Sequence, residues 1–266
     1  MTDFSYATTE TAPAGTFFVG MSLLPPKHKR ATVFFRGVMS LPALVVTIIF
    51  GLACGVTVPI AWFSALVTGH VSPGIANFNY SVLALQARVS AYSSLLTTKF
   101  PNLSLTPSPT DQVRVEVENV PLNRLAVLFR FFLGFPGLLL SVVLAYGTYV
   151  LLPIAWVVAL ITGRVPKAIH QALALNLRMR TRANAYFYLL SPRQAWEGLL
   201  GDAPGPDNGL RTPWVVTRAA KVLVAVMTLV GSILGAFEVY FNIVLASQMK
   251  YVSCALVMTT YTYDFT

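Results

Sequence analysis

Acidic residues are scarce in this chain, and their absence is patterned. Ten of the 266 residues are Asp or Glu, against 19 Lys or Arg. None lies between Glu10 and Asp111, and none between Glu118 and Glu197. Charged residues of both signs make up 11% of the chain, less than half of the roughly 25% usual in soluble domains. A nucleic-acid binder needs a basic, water-exposed surface, and little such surface is available here. Cysteine is nearly absent as well. Cys54 and Cys254 form no CxxC pair and join no His/Cys cluster, so neither a disulfide framework nor a metal site is suggested. The three histidines, His28, His70 and His170, are scattered, and no HExxH, GxSxG, Walker or GxGxxG pattern occurs. No catalytic group and no cofactor is expected. Residues 1–15 lack the basic-then-apolar order of a signal peptide and read as a mobile N-terminus.

What is present is apolar. Hydrophobic residues are 55% of the chain and the mean hydropathy is +0.65. They cluster in long runs flanked by Lys and Arg, the pattern of an integral membrane protein with basic flanks on the cytoplasmic face.

The chain also repeats itself. A shift of 94 residues places Arg36 on Arg130, Pro42 on Pro136 and Trp62 on Trp156. The string Pro59-Ile60-Ala61-Trp62 recurs as Pro153-Ile154-Ala155-Trp156, and Arg88 and Tyr92 recur as Arg182 and Tyr186. Shared apolar composition does not pair Pro, Trp, Gly, Arg and Tyr in one register. The matching flanks suggest two copies of the same sense. The expected division is repeat unit 1 over 16–105, repeat unit 2 over 106–200, a linker over 201–212, a transmembrane helix over 213–249 and an external tail over 250–266.

Each unit has three parts. The first is an alternating segment, Val113-Arg114-Val115-Glu116-Val117-Glu118 in copy 2 and a weaker Phe17–Ser22 in copy 1. These read as half-buried strands that pair as a cytoplasmic ribbon. The second is the apolar run from Phe131 to Gly163, which would measure about 50 Å as one straight helix, against about 30 Å of hydrocarbon. Both flanks are basic, which favours a short or re-entrant hairpin broken near Gly147 and Pro153, and near Gly55 and Pro59 in copy 1. The competing reading is one long kinked helix per unit. The third is amphipathic. Ala168, Ala172, Leu175, Met179, Ala183, Tyr186 and Leu190 form one stripe, with Arg178, Arg180 and Arg182 off it. Such a helix suits the membrane interface, or packs its stripe against the hairpin. The fold class expected is therefore mainly α: two tandem units of strand, apolar hairpin and basic amphipathic helix, then one C-terminal transmembrane helix.

Candidate site residues follow from these parts. Arg88, Arg178, Arg180 and Arg182 are candidates for lipid phosphate, since guanidinium forks match phosphate. Tyr92 and Tyr186 lie one turn beyond Arg88 and Arg182. Trp62 and Trp156 read as interface anchors beside a helix break. Pro213 and Trp214 open the last helix, with Arg218 and Lys221 at its cytoplasmic end and Tyr251, Tyr261 and Tyr263 near the far interface. Glu238 is the carboxylate inside that apolar helix, with Asn242 one turn away as a possible partner. It is either an ion or proton site, a bridge to a partner, or a structural contact.

These repeats resemble the DUF4389 family of prokaryotic membrane proteins, through Val113–Glu118, Asn123-Arg124-Leu125, Arg130, Pro136, Ala155-Trp156, Thr162-Gly163, Arg182 and Ala185-Tyr186. The resemblance covers about residues 17–190, and copy 2 departs from it at Ser191-Pro192-Arg193. The family is a domain of unknown function, so it implies architecture and no activity. Its tandem members look typical of actinobacteria, which implies a cell membrane. The leading functional expectation is a non-enzymatic accessory or scaffold subunit. It would dock on a larger membrane protein complex and bind anionic lipid at the cytoplasmic face. It would be multi-pass, with a cytoplasmic N-terminus and an external tail. The alternative is a transport or lipid-handling protein with a site between the repeats. A lipid-acting enzyme ranks below both.

Overall fold

Each apolar run forms one continuous helix. In the computed structural model the residues described are 17–21, 24–108, 111–117, 122–192 and 216–263, with side chains described as far as Ala246 in the last helix. The expected N-terminus 1–15, the linker 201–212, Pro213, Trp214 and Arg193 lie outside them, as do the side chains of Cys254, Tyr251, Tyr261 and Tyr263. In chain order the elements are β1 (Phe17–Met21), α1 (Arg30–Thr68), α2 (Pro73–Ser93), β2 (Val113–Val117), α3 (Arg124–Leu128), α4 (Arg130–Thr162), α5 (Lys167–Phe187) and α6 (Arg218–Tyr263).

The expected hairpin is corrected by α1 and α4. Pro42 and Pro59 lie inside α1, and Pro136 and Pro153 inside α4. A proline removes one intrahelical bond. A tight turn would expose several backbone groups that lipid cannot satisfy. The kinked helix is the smaller loss. Packing gives the same answer. Along α2, Ile75 sits against Ala61 and Ala65, Leu85 and Val89 against Ala43, and Tyr92 against Arg36. Contacts from the two ends of α1 therefore fall at opposite ends of α2, which is about 30 Å long for 21 residues, where a hairpin would bring them together. Gly69 and Gly163 stop the two helices in the left-handed region, at φ +83° and +73°, which glycine enters without a Cβ clash.

The ribbon forms as the alternation requires. β1 and β2 are antiparallel, and Val19, Met21, Val113 and Val115 are buried. Tyr80 donates its hydroxyl to the Val115 carbonyl at 2.7 Å and fixes the ribbon on α2. Below the ribbon lie α2 and α5, and beyond them α1 and α4, with α6 against α4 and α5. The last helix runs on to Tyr263 rather than yielding a tail at residue 250. No Gly or Pro stands between Lys250 and Tyr263 to stop it.

The basic amphipathic helix expected at the membrane interface is internal. In α5, His170 to Met179 are buried, as are Arg182 and Tyr186. The stripe pattern reports an apolar face. It does not report that α2, α4, α6 and β1 cover the other faces too.

The two copies are related by reciprocal contacts, as two subunits are across a twofold axis. Trp62 Nε1 donates to the Val127 carbonyl at 2.8 Å, and Trp156 Nε1 donates to the Val33 carbonyl at 2.9 Å. Both members of each pair are 94 residues from their counterparts. The ribbon repeats the relation: Val19 pairs with Val115, Met21 with Val113, and Gly20 pairs with its own repeat mate, Arg114. The start of each long helix thus meets the end of the other.

Candidate functional site: buried arginines, a basic rim and an apolar outer face

Two repeated arginine nodes tie the start of each long helix to the turn after the following short helix. Near the start of α1, the Arg36 guanidinium lies 4.3 Å from the centroid of the Tyr92 ring and donates to the Thr97 carbonyl at 2.5 Å. In the second copy, Arg130 lies 4.2 Å over Tyr186 and donates to the carbonyls of Tyr186 at 2.7 Å and Ser191 at 2.6 Å. A planar cation that stacks on a ring while binding carbonyls is a task for Arg rather than Lys. The carbonyls are presented by a sharp turn after each short helix, where Leu95 and Leu189 both take φ +60°. Left-handed leucine is costly, and burial of both side chains holds it there. Sequence reasoning marked Arg36 and Arg130 as a repeated pair but gave them no role. It assigned Tyr92 and Tyr186 to the arginines one turn away.

The four proposed phosphate ligands have different surroundings. Arg88 is 4% exposed and forms an ion pair with Asp111 at 2.8 Å. It also donates to the carbonyls of Ala84 at 3.2 Å and Ser104 at 2.7 Å. Arg178 is fully buried, and burial, with Arg182 nearby, lowers its pKa to about 9. Arg182 is buried too, and Arg180 alone of the four is exposed. The structure therefore withdraws Arg88, Arg178 and Arg182 from a headgroup and uses Arg88 to pin the loop before β2. Trp62 and Trp156, expected as interface anchors, are part-buried ties between the copies.

Exposed basic residues gather elsewhere. His28 N donates to the Gly163 carbonyl at 2.9 Å, and Lys27 pairs with Arg164 across an isolated bridge. Gln171 Oε1 accepts from Thr217 N at 3.1 Å and from its hydroxyl at 2.8 Å, which brings the start of α6 to the start of α5. One end of the body thus collects Lys27, Lys29, Arg30, Arg164, Lys167, Arg218 and Lys221, all exposed. His28, within this rim, is buried, which lowers its pKa to about 4. It stays neutral at pH 7. Two described carboxylates lie elsewhere: Asp111 holds Arg88, and Glu238 accepts from the Tyr146 hydroxyl. Asn242 is not the partner of that carboxylate; its Nδ2 donates to the Glu238 backbone carbonyl at 2.9 Å.

Among the described residues no group of three His, Cys, Asp or Glu side chains could hold a metal ion. Cys54 is buried with its thiol 3.7 Å from Asn79 Oδ1, which also accepts from Thr57 at 2.6 Å. An apolar pocket of about 110 Å³ lies between the copies, lined by Val58, Pro59 and Trp62 on one side and Arg130, Phe131, Phe187 and Leu189 on the other. Among the described residues three helices are long and apolar enough to cross a membrane: Arg30–Thr68, Arg130–Thr162 and Arg218–Ala246.

A family profile, described as a domain of unknown function, DUF4389, matches residues 30–103 and again residues 124–196. The two matches take in more than half of the chain. This chain belongs to the DUF4389 family. Each DUF4389 copy begins at the long helix or the short helix before it and ends beyond the turn that its arginine node grips. Both strands and all of α6 lie outside the DUF4389 copies. Neither a curated protein nor a solved structure matches the chain.

Proposed function

We propose that this protein is a non-catalytic membrane scaffold that binds anionic lipid through the basic rim and docks on a larger membrane complex through α6. The rim carries the reading: seven exposed cations, from the starts of α1, α5 and α6 and from the segments before α1 and α5, meet at the edge of an apolar surface. Near an anionic leaflet each such cation is worth about 1 kcal/mol. The internal polar groups support a structural reading, since Arg36, Arg88, Arg130 and both tryptophans are engaged in bonds that hold the fold. The docking element is α6, exposed on every side from Ala236 to Ile243. An exposed helix that is mostly apolar, here with Glu238 and Asn242 as its polar groups, is covered by lipid or by another helix.

Purification from mild detergent tests this. The expected product retains anionic phospholipid and a stoichiometric protein partner. Replacing Lys27, Lys29, Arg30, Arg164 and Lys167 with Gln should strip the lipid and leave the fold intact. A lone monomer whose lipid content is the same with and without the rim would sink the proposal. The lipid-handling alternative rests on the apolar pocket between the copies, and a lipid chain resolved there would favour it.

A further inference from the structure

The lengths of α1 and α4 do not suit a crossing along the membrane normal. Large apolar side chains are exposed along α1 from Phe34 to Val67, and along α4 from Phe131 to Ile161. At 1.5 Å per residue these stripes measure about 50 Å and 45 Å, against about 30 Å of hydrocarbon. Set upright, each helix would leave about a third of its apolar face outside the hydrocarbon.

The polar face makes the upright placement worse. Leu103 and Leu105 pack beside Val46 and Phe50, halfway along α1. Their loop exposes Asn102, Ser104 and Thr106. The Arg88–Asp111 pair and the exposed Gln112 lie next to it. An upright α1 would hold these groups at hydrocarbon depth, where lipid cannot hydrogen-bond them.

Symmetry offers the placement that avoids both problems. The pairing of Gly20 with Arg114 puts the twofold axis through the middle of the ribbon, perpendicular to its plane. The layers α2/α5 and α1/α4 follow beneath it. With that axis along the bilayer normal, both copies face the same leaflet. The ribbon and the 98–108 loop are then in water, and the apolar faces of α1 and α4 are in lipid. The charges agree, since His70 and Arg124 at one end and Lys29 and Arg164 at the other are exposed and basic in type.

We infer that α1 and α4 do not cross the membrane but lie side by side within the cytoplasmic leaflet as one apolar slab, whose partner is the lipid itself. The inference rests on the membrane reading proposed above. Of the three long apolar helices described, α6, which leaves the body beyond Gly235, is left to cross.

Single cysteines test the placement. In a background with Cys54 and Cys254 replaced by Ser, the exposed positions Lys29, His70, Arg124 and Arg164 are changed to Cys one at a time. Intact cells and inverted vesicles are treated with a membrane-impermeant maleimide, and detergent-solubilised protein gives full labelling as the reference. The expected result is labelling of all four from the cytoplasmic side alone. Labelling of Lys29→Cys and Arg164→Cys from one side, and of His70→Cys and Arg124→Cys from the other, would overturn it. So would protection of any of the four on both sides, which would mean a protein partner covers that end. Extraction of the chain by carbonate is a different failure, because it removes the membrane reading itself.

Discussion

At the residue scale, the Arg130 node joins the start of α4 to the turn after α5. Its two charge-assisted bonds and its ring contact have no substitute, because the Tyr186 and Ser191 carbonyls turn toward a buried site. A hydrogen bond to a charged group is worth about 1.5–3 kcal/mol, and an orphaned buried acceptor adds to the loss. Arg130→Met is therefore expected to destabilise the protein by about 3 kcal/mol, read as a lowered midpoint in thermal unfolding in detergent. Arg130→Lys should recover little of that, since an ammonium cannot bond two carbonyls while lying flat on a ring. A lysine variant as stable as the wild type would refute the role given to the planar group. This node was half legible in sequence. The 94-residue shift marks both arginines and both tyrosines. Helical spacing, however, sees only neighbours one turn apart, and so it joins Tyr92 to Arg88. The true partner, Arg36, reaches Tyr92 from another helix 56 residues away. Burial hides in the same way. The charges of Arg178 and Arg182 suggest solvent, and only tertiary packing places them inside.

At the element scale, the contact between α4 and α6 depends on two glycines. A Cβ on Gly147 would stand 2.3 Å from the Met227 carbonyl oxygen, and one on Gly231 would stand 2.0 Å from that of Val143. Both obstacles are backbone, so the helices would have to separate. Gly235 is different, because a Cβ there would meet the Tyr146 ring at an ordinary 3.6 Å. Gly231→Ala should cost about 1–3 kcal/mol by overpacking, whereas Gly235→Ala should be neutral or gain a few tenths from better helix propensity. Thermal unfolding of the two variants side by side checks this, and equal effects would contradict the close approach. The helices themselves were legible from apolar run length. Their continuity was not, because a Gly-and-Pro break is ambiguous until opposite ends of α2 are seen meeting opposite ends of α1.

At the scale of the whole molecule, neither copy is complete. Copy 1 takes the acceptor for Trp62 from Val127, and copy 2 takes the acceptor for Trp156 from Val33. The ribbon needs one strand from each. The sequence showed that two copies exist, but a repeat carries no record of how its members face each other. Reciprocal pairing has a consequence for assembly. If the copies are two halves of one internal dimer, the connection between them fixes their concentration rather than their geometry. The exposed loop around Thr106 is the place to cut it, since exposed loop tips tolerate breaks. Residues 1–106 and 107–266, expressed together as separate chains with a tag on one, should co-purify as a one-to-one complex. Either chain expressed alone should be degraded or aggregate, with its ribbon edge and tryptophan unpartnered. Trp62→Phe and Trp156→Phe should each weaken the split complex by about 1 kcal/mol, the worth of one hydrogen bond. That is roughly a fivefold loss of affinity for either, and in the intact chain, where the link holds the halves together, the same loss should appear as lowered unfolding stability rather than as dissociation. A half that is stable and monomeric by itself would show that each copy is a domain in its own right and that the twofold is only a packing preference.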